Sequence, residues 1–243
     1  IRRRTSATMQ IGVSRPAAWR VRLARLDAVA DEAATDTDRW LTAGEAARLQ
    51  AMSAPARRRS FLAGHWLARR LAADWLQLDA ARIALNRHAD GRPLLLVDAE
   101  PVPLSLSLSH SGDWLACAIS AVPVGVDVEL PSRVRDWQAL ARFAFSPDEA
   151  DRLQRASDAQ RSGVFHVLWT LKEAHGKRSG EGLLPERSRR VTTLASDPSR
   201  AEACSWPLGE GALAIASEPG LRIELVDGDA LGEPAYWRYR DDG

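Results

Sequence analysis

Apolar and polar residues alternate along Trp19-Arg-Val-Arg-Leu-Ala-Arg-Leu26, the period-two pattern of a half-buried strand. The same period returns in Leu104-Ser-Leu-Ser-Leu-Ser109, which predicts a strand with leucines facing in and serines facing out. His110-Ser-Gly-Asp113 reads as a tight turn, Trp114–Ser120 as the returning strand and Val124–Leu130 as the next. Together these predict an antiparallel piece of sheet. Arg82–Asn86 reads as a short strand ahead of a turn at Asp90-Gly-Arg-Pro93.

Elsewhere the period is helical. Thr42 with Glu45 three residues later is a capping-box pattern for a helix running to about Met52. A longer helix over Pro55–Leu76 carries Phe61, Leu62, Trp66, Leu67, Leu71 and Trp75 as its apolar stripe, with Arg57, Arg58, Arg59, Arg69 and Arg70 at its basic positions. Further helices are predicted at Asp136–Phe143, at Pro147–Gln154 with Ser146 as cap, and at Asp158–Lys177. Gly180-Glu-Gly-Leu-Leu-Pro185 ends the last of these, and strand-like stretches follow near Arg190–Leu194, Gly211–Ala216 and Leu221–Val226. Each half runs through helices and then strands. The expected class is α/β in the broad sense, more narrowly α+β, as two similar halves forming a pseudo-dimer. Residues 15–122 form one half and 123–243 the other, after a disordered leader at 1–14.

The chain has 243 residues, enough for a sizeable core, with 45% apolar and 27% charged residues, as in a soluble globular protein. A net charge of +1 exerts no overall pull toward nucleic acid or membrane, and neither is expected as a partner. No stretch approaches the roughly 18 apolar residues of a membrane-spanning helix. Arg2, Arg3 and Arg4 are not followed by the apolar run of a signal peptide. Cys117 and Cys204 have neither metal-ligand nor redox spacing, which fits a reducing cytoplasm.

The candidate chemistry lies in two segments. On the strand containing Gly125-Val-Asp-Val-Glu129, Asp127 and Glu129 share a face, roughly 6.5–7 Å apart along it, while Val124, Val126 and Val128 face the core. On the helix containing Trp169-Thr-Leu-Lys-Glu-Ala-His-Gly-Lys177, the residues Trp169, Glu173 and Lys177 follow one stripe at i, i+4 and i+8, extended backward by Phe165. Three carboxylates and an ammonium make a cradle for a Mg²⁺ ion holding a phosphate, since Mg²⁺ takes oxygen ligands and is often completed by substrate phosphates. His110, beside hydroxyls, suits a phosphate oxygen. Each piece alone also reads as ordinary surface: solvated carboxylates, an i,i+4 ion pair, a polar turn and a basic helix face.

Taken in order, the chain carries Phe61-Leu-Ala-Gly64, Gly91-Arg-Pro93, Leu108-Ser-His-Ser-Gly112, Val124-Gly-Val-Asp-Val-Glu129, Phe145-Ser-Pro147 with Glu149, Trp169-Thr-Leu-Lys-Glu173 with Lys177, and Gly180-Glu-Gly-Leu183. Over about residues 57–185 this resembles the 4′-phosphopantetheinyl transferase superfamily, in its longer, surfactin-synthetase type. The resemblance implies a 4′-phosphopantetheinyl transferase-like fold with coenzyme A between the halves. It implies Mg²⁺-dependent transfer of the phosphopantetheine arm to a serine of an apo acyl or peptidyl carrier protein, releasing 3′,5′-ADP. Asp127, Glu129 and Glu173 then resemble the metal ligands, and Lys177 the lysine at the pyrophosphate. Asp127, Glu173 and Lys177 form the catalytic set, with Glu173 taking the serine proton directly or through a water. His110, with Ser109 beside it, resembles the histidine at the coenzyme A phosphates, and Arg92 lies toward the adenine end. Arg58 or Arg59 resembles an arginine at the 3′-phosphate. The longer type implies a monomer serving secondary metabolism. His175-Gly176 departs from the usual pattern and predicts a loosened helix end, because a helical glycine costs up to about 1 kcal/mol relative to alanine. Phe143-Ala-Phe145 replaces an adjacent aromatic pair. The rival readings are a non-catalytic coenzyme A or carrier-binding module and a metal-dependent phosphodiesterase.

Overall fold

The structure, a computed structural model, describes residues 18–131, 136–220, 222–226 and 231–243, so the expected leader lies outside it. The first half contributes β1 (Ala18–Arg25), α1 (Leu26–Ala34), α2 (Thr37–Trp40), α3 (Ala43–Gln50), α4 (Pro55–Leu76), β2 (Ile83–Arg87), β3 (Pro93–Val97), β4 (Glu100–Pro101), β5 (Ser105–Ser111) and β6 (Trp114–Ser120). The second contributes β7 (Gly125–Glu129), α5 (Trp137–Ala144), α6 (Pro147–Arg155), α7 (Asp158–Ser179), α8 (Pro185–Arg190), β8 (Val191–Ala195), β9 (Ala203–Leu208), β10 (Gly211–Ala216), β11 (Arg222–Val226) and β12 (Ala235–Asp241). The class is α+β, as expected.

Alternation along the strands sets the layers. On β6, Leu115, Cys117 and Ile119 pack under Leu67, Leu71 and Trp75 of α4. The intervening Ala116 and Ala118 face the other way, against Val124, Val126 and Val128 at β7 and Leu213 and Ile215 of β10. On the far side Leu171 and Ala174 of α7 pack on Ala214 and Ala216. Two 22-residue helices, α4 and α7, therefore sandwich two sheets placed face to face. One sheet runs β11-β1-β6-β5 and the other β7-β10-β9-β12-β8, with a small third sheet β2-β3-β4. β11, from the second half, pairs parallel with β1 and completes the first half's sheet. Arg20 on β1 binds Glu224 directly opposite on β11 through both carboxylate oxygens, at 2.9 and 3.1 Å.

The outward serines of β5 do not simply face solvent. Ser105, Ser107 and Ser111 accept hydrogen bonds through Oγ from the amides of Val124, Val126 and Leu130, at 3.1, 3.0 and 3.0 Å. Ser107 and Ser111 are buried. A polar face of period two fits either water or a second strand. Here the hydroxyls join two strands that share no ladder, each bond contributing about 1 kcal/mol.

The Thr42–Glu45 capping box forms, and the Ser146 cap proves to be a second box with Glu149. Glu149 also accepts from Thr193 and pairs with Lys172 at 2.8 Å, both side chains being 1% exposed. Lys172 reaches on to the Ser188 carbonyl, so this buried pair ties α6, α7 and α8 together beneath the site. Gly125 sets the approach of α7 to β7. A Cβ there would lie 1.9 Å from the carbonyl oxygen of Ala174 and 2.6 Å from the amide nitrogen of Arg178.

Candidate active site

The close approach at Gly125 brings Asp127 on β7 under Lys177 on α7. Oδ1 of Asp127 accepts from Lys177 Nζ at 2.8 Å and from the Ser109 hydroxyl of β5 at 2.7 Å. Lys177 Nζ also donates to the carbonyls of Val126 at 3.1 Å and Leu108 at 3.4 Å. Three elements from both halves thus converge on one carboxylate. Its other oxygen, Oδ2, is buried without a hydrogen-bond partner among the described residues.

Glu173 stands one helical turn before Lys177 and Glu129 two residues after Asp127. Burial and the negative charge of Asp127 raise the Glu173 carboxyl above its usual range; Lys177 opposes this and Glu129 adds to it. The three acids therefore share one field, but among the described residues no group of three His, Cys, Asp or Glu side chains is drawn together as a closed metal cage. Like charges disfavour such convergence without a cation, and here the ammonium of Lys177 supplies the positive charge. The donor set nevertheless fits Mg²⁺. The donors are hard carboxylate oxygens, one is buried and bare, and Mg²⁺ retains waters rather than requiring a complete protein cage.

A cleft opens beside this junction. One cavity of about 390 Å³ runs past Lys177, Gly180, Arg92, Asn86 and Arg87. Another of about 690 Å³ runs past Ser109, His110, Phe61 and Arg57. Arg48, His65, Arg87 and Leu108 belong to both. The cleft is basic and long enough to lead from the acidic junction to the α3–α4 corner.

The structure corrects three sequence expectations here. His110 is not in a turn: β5 continues to Ser111, His110 pairs opposite Leu115, and the turn is Gly112-Asp113. Its side chain is exposed on the cleft wall. Arg58 and Arg59 both turn away from the cleft. Arg58 donates to the carbonyls of Leu49 and Met52 at the end of α3, and Arg59 binds Asp27 and Asp31 of α1 at 2.6 and 2.7 Å. Arg57 is the member of the triplet that lines the cleft, because successive helical residues are turned by about 100°. Ser109 lines the cleft, but its hydroxyl donates to Asp127. Finally, Gly176 does not loosen the helix end. α7 continues past Lys177 to Ser179, and the Gly182 amide folds back onto the Gly176 carbonyl at 3.0 Å. A Cβ on Gly176 would lie 2.4 Å from the Gly182 carbonyl oxygen, so glycine lets this loop brace the lysine.

Arg92 lies on the cleft wall. Its guanidinium binds Asp90 at 2.9 and 2.7 Å and lies over Gly180, whose added Cβ would be 2.7 Å from Arg92 Nε. The Gly-Arg-Pro and Gly-Glu-Gly segments therefore meet across the halves. His175 is half-buried against Tyr239, with ring centres 4.4 Å apart, and burial lowers its pKa to about 4.

Arg48, Arg87 and His65 were not singled out from sequence as binding residues. The signal present is the i, i+4, i+8 spacing of Arg57, Phe61 and His65, whereas the sequence reading divides Arg57 and Phe61 between the basic positions and the apolar stripe. Phe61 instead stacks on His65 with centres 4.0 Å apart, and the Arg48 guanidinium lies 4.9 Å from its ring centre. His65 Nδ1 is 2.6 Å from Glu45, which also binds Arg69 at 2.5 Å. Burial opposes ionisation of Glu45, but hydrogen bonds from His65, Arg69 and the Thr42 amide bring its pKa down to about 2. Burial lowers the His65 pKa, and the Glu45 carboxylate opposes the shift.

On another face, Trp137, Phe145 and Leu153 floor a groove of about 1020 Å³, rimmed by Arg142, Arg161 and Arg189. The groove connects to the site through packed rings: Trp137 lies 4.4 Å from Phe165, and Phe165 5.6 Å from Trp169, one turn before Glu173. The broken aromatic pair divides its roles, Phe145 entering the core and Phe143 remaining 44% exposed.

Two sheets meeting at an acidic junction beside a basic cleft define a phosphate-handling α+β enzyme. The family model described as the 4′-phosphopantetheinyl transferase superfamily matches residues 123–224, and the 4′-phosphopantetheinyl transferase N-terminal model matches residues 32–122. A 4′-phosphopantetheinyl transferase of Bacillus subtilis is 30% identical over 218 residues, 84% of each chain. The transferase HetI of a Nostoc species is 26% identical over 224 residues, 91% of each chain. The transferase Sfp of Bacillus subtilis strain 168 is 32% identical over 124 residues, 50% of this chain and 52% of its own. The chain belongs to the 4′-phosphopantetheinyl transferase family, in its Sfp type, and is an enzyme of that class.

Proposed function

We propose that this protein moves the 4′-phosphopantetheine arm of coenzyme A onto a serine of an apo acyl or peptidyl carrier protein in a Mg²⁺-dependent reaction. The observation that carries this reading is the junction of Asp127, Lys177 and Ser109 at the mouth of a cleft walled by both halves. The basic wall made by Arg48, Arg57, Arg87 and His110 suits the phosphates of coenzyme A, and Arg57 with Arg48 replaces Arg58 and Arg59 as the candidate pair for the 3′-phosphate. Arg92 and Gly180 would flank the adenine end.

Asp127, through its bare Oδ2, together with Glu129 and Glu173 would hold Mg²⁺. When bound, the ion supplies charge neutralisation at the pyrophosphate. Lys177, in the last turns of α7, would place an ammonium at the same phosphates. The carrier serine oxygen forms a new bond to the phosphorus bearing the pantetheine, and the bond from that phosphorus to the bridging oxygen breaks. The products are 3′,5′-ADP and the modified carrier. Glu173, whose carboxyl feels the charges of Asp127 and Lys177, is the carboxylate that would take the serine proton, directly or through a water. The carrier docks on the groove floored by Trp137 and Phe145, where Arg142, Arg161 and Arg189 face its acidic surface. One chain supplies both cleft walls, which supports action as a monomer. Two buried free thiols support a reducing cytoplasm, and among the described residues no helix is long and apolar enough to cross a membrane.

The test is direct. With coenzyme A, Mg²⁺ and an apo carrier, the carrier should gain one phosphopantetheine by mass spectrometry, and omission of Mg²⁺ should stop the gain. No gain across a panel of acyl and peptidyl carriers would overturn the reading.

A further inference from the structure

Three of the four serines along β5 do the same thing. Ser105, Ser107 and Ser111 each accept a hydrogen bond from an amide across the gap, at Val124, Val126 and Leu130. That register assigns Ser109 to the amide of Val128. Ser109 instead donates its proton to Oδ1 of Asp127 at 2.7 Å. A hydroxyl that donates to a carboxylate oxygen fixes the rotation of that carboxylate. With Lys177 on the same oxygen at 2.8 Å, Oδ1 is engaged from two directions and Oδ2 is left bare and buried. A buried acceptor without a partner is unfavourable unless a ligand completes it.

We infer that Ser109 is a positioning residue for the metal ligand: it holds Oδ1 of Asp127 so that Oδ2 is presented to the cation. This inference rests on the proposed Mg²⁺ site, and it gives Ser109 a role different from the coenzyme A contact that its motif implies. Ser109 belongs to the first half of the chain and Asp127 to the second. The ligand is therefore oriented only where β5 and β7 are docked, and formation of the metal site is coupled to the docking of the halves. Partners that orient a metal ligand typically contribute 10–100-fold to metal affinity. Ser109 acts through Asp127 and performs no chemistry itself.

The probe is Mn²⁺ alone, titrated into the full chain and followed by electron paramagnetic resonance, with thermal unfolding measured on the same samples. Ser109→Ala should weaken Mn²⁺ binding by about tenfold or more. Ser109→Thr retains the hydroxyl and should stay within about threefold of the parent. Ser105→Ala removes one of the amide-accepting hydroxyls and should lower the melting temperature while leaving Mn²⁺ affinity unchanged. Parent protein that binds Mn²⁺ together with Ser109→Ala that binds it equally well would overturn this inference alone and return Ser109 to the ranks of the interface serines. Equal weakening in Ser105→Ala would also overturn it, because the effect would then be general loosening of the halves. A parent protein that transfers phosphopantetheine yet binds no Mn²⁺ would remove the carboxylate metal site, and this inference with it.

Discussion

Lys177 Nζ lies 2.8 Å from Oδ1 of Asp127, so the helix and the strand that carry the candidate chemistry are joined by one ion pair. The lysine is 28% exposed along its side chain and the aspartate 8%, which places the pair at the cleft wall rather than in the core. The ammonium is therefore close enough to hold the carboxylate and open enough to meet an incoming phosphate.

Asp127→Asn and Lys177→Ala should each lower the transfer rate by at least about a hundredfold, the scale seen when one preorganised charge is removed from a transition state. The two should differ in metal dependence: Asp127→Asn, which removes a ligand, should weaken Mn²⁺ binding far more than Lys177→Ala. Steady-state transfer assays alongside metal titration would check this. Full activity in Asp127→Asn would show that the site is misplaced.

Gly125→Ala should be destabilising beyond its small added volume, by about 1–3 kcal/mol, because the new methyl meets backbone at 1.9 Å instead of a side chain that can turn away. The same change at Gly44, within α3 and with nothing inside 4 Å, should be neutral or stabilising by up to about 1 kcal/mol. Chemical denaturation of the two variants makes the comparison. A harmless Gly125→Ala would mean that α7 does not press on β7 as described.

Acid should loosen the α3–α4 corner through Glu45. Its carboxyl is lowered from an ordinary value of 4.5 to about 2 in the folded chain, so its contribution is complete above 4.5 and is lost as pH falls toward 2. His65, also lowered by burial, acts in the same direction as it is forced to take a proton. Melting temperature should therefore fall more steeply between pH 4.5 and 2 in the parent than in Glu45→Gln, which lacks the titrating group. Parallel curves would contradict this assignment.

The arginine-rimmed groove makes a prediction about the carrier alone. Arg142→Glu with Arg161→Glu should raise KM for the carrier by about tenfold and leave KM for coenzyme A unchanged, since charge reversal at a rim acts on encounter. An equal rise in both constants would place the groove outside the docking surface.

Much of this site can be read from the sequence. The i, i+2 spacing on β7 and the i, i+4 spacing on α7 put Asp127, Glu129, Glu173 and Lys177 within one field, and the structure brings them there. The Thr42–Glu45 capping box and the Ser146 cap were legible because their signals lie within four residues. The arginine at the cleft was not, since an error of one position on a helix changes the face presented, as Arg58 and Arg59 show. β9 also escaped: Ala203–Leu208 begins with four buried residues, so it has no alternation to read, and it carries Pro207. The serines of β5 illustrate a third kind of loss. Period two reveals that one face is polar but not what that face touches, and the partner strand lies nineteen residues further on.

The parallel pairing of β11 with β1 has a consequence for how the molecule is made. Arg20 and Glu224 are 204 positions apart, so during synthesis the edge of β1 stays open until β11 has emerged. An unpaired edge on a nascent sheet is a template for wrong partners. Closing so long a loop adds little to the entropy cost but slows folding, because distant contacts must wait. A fragment ending near residue 122 would keep that edge exposed permanently. Recombinant halves should therefore aggregate separately and recover only when produced together.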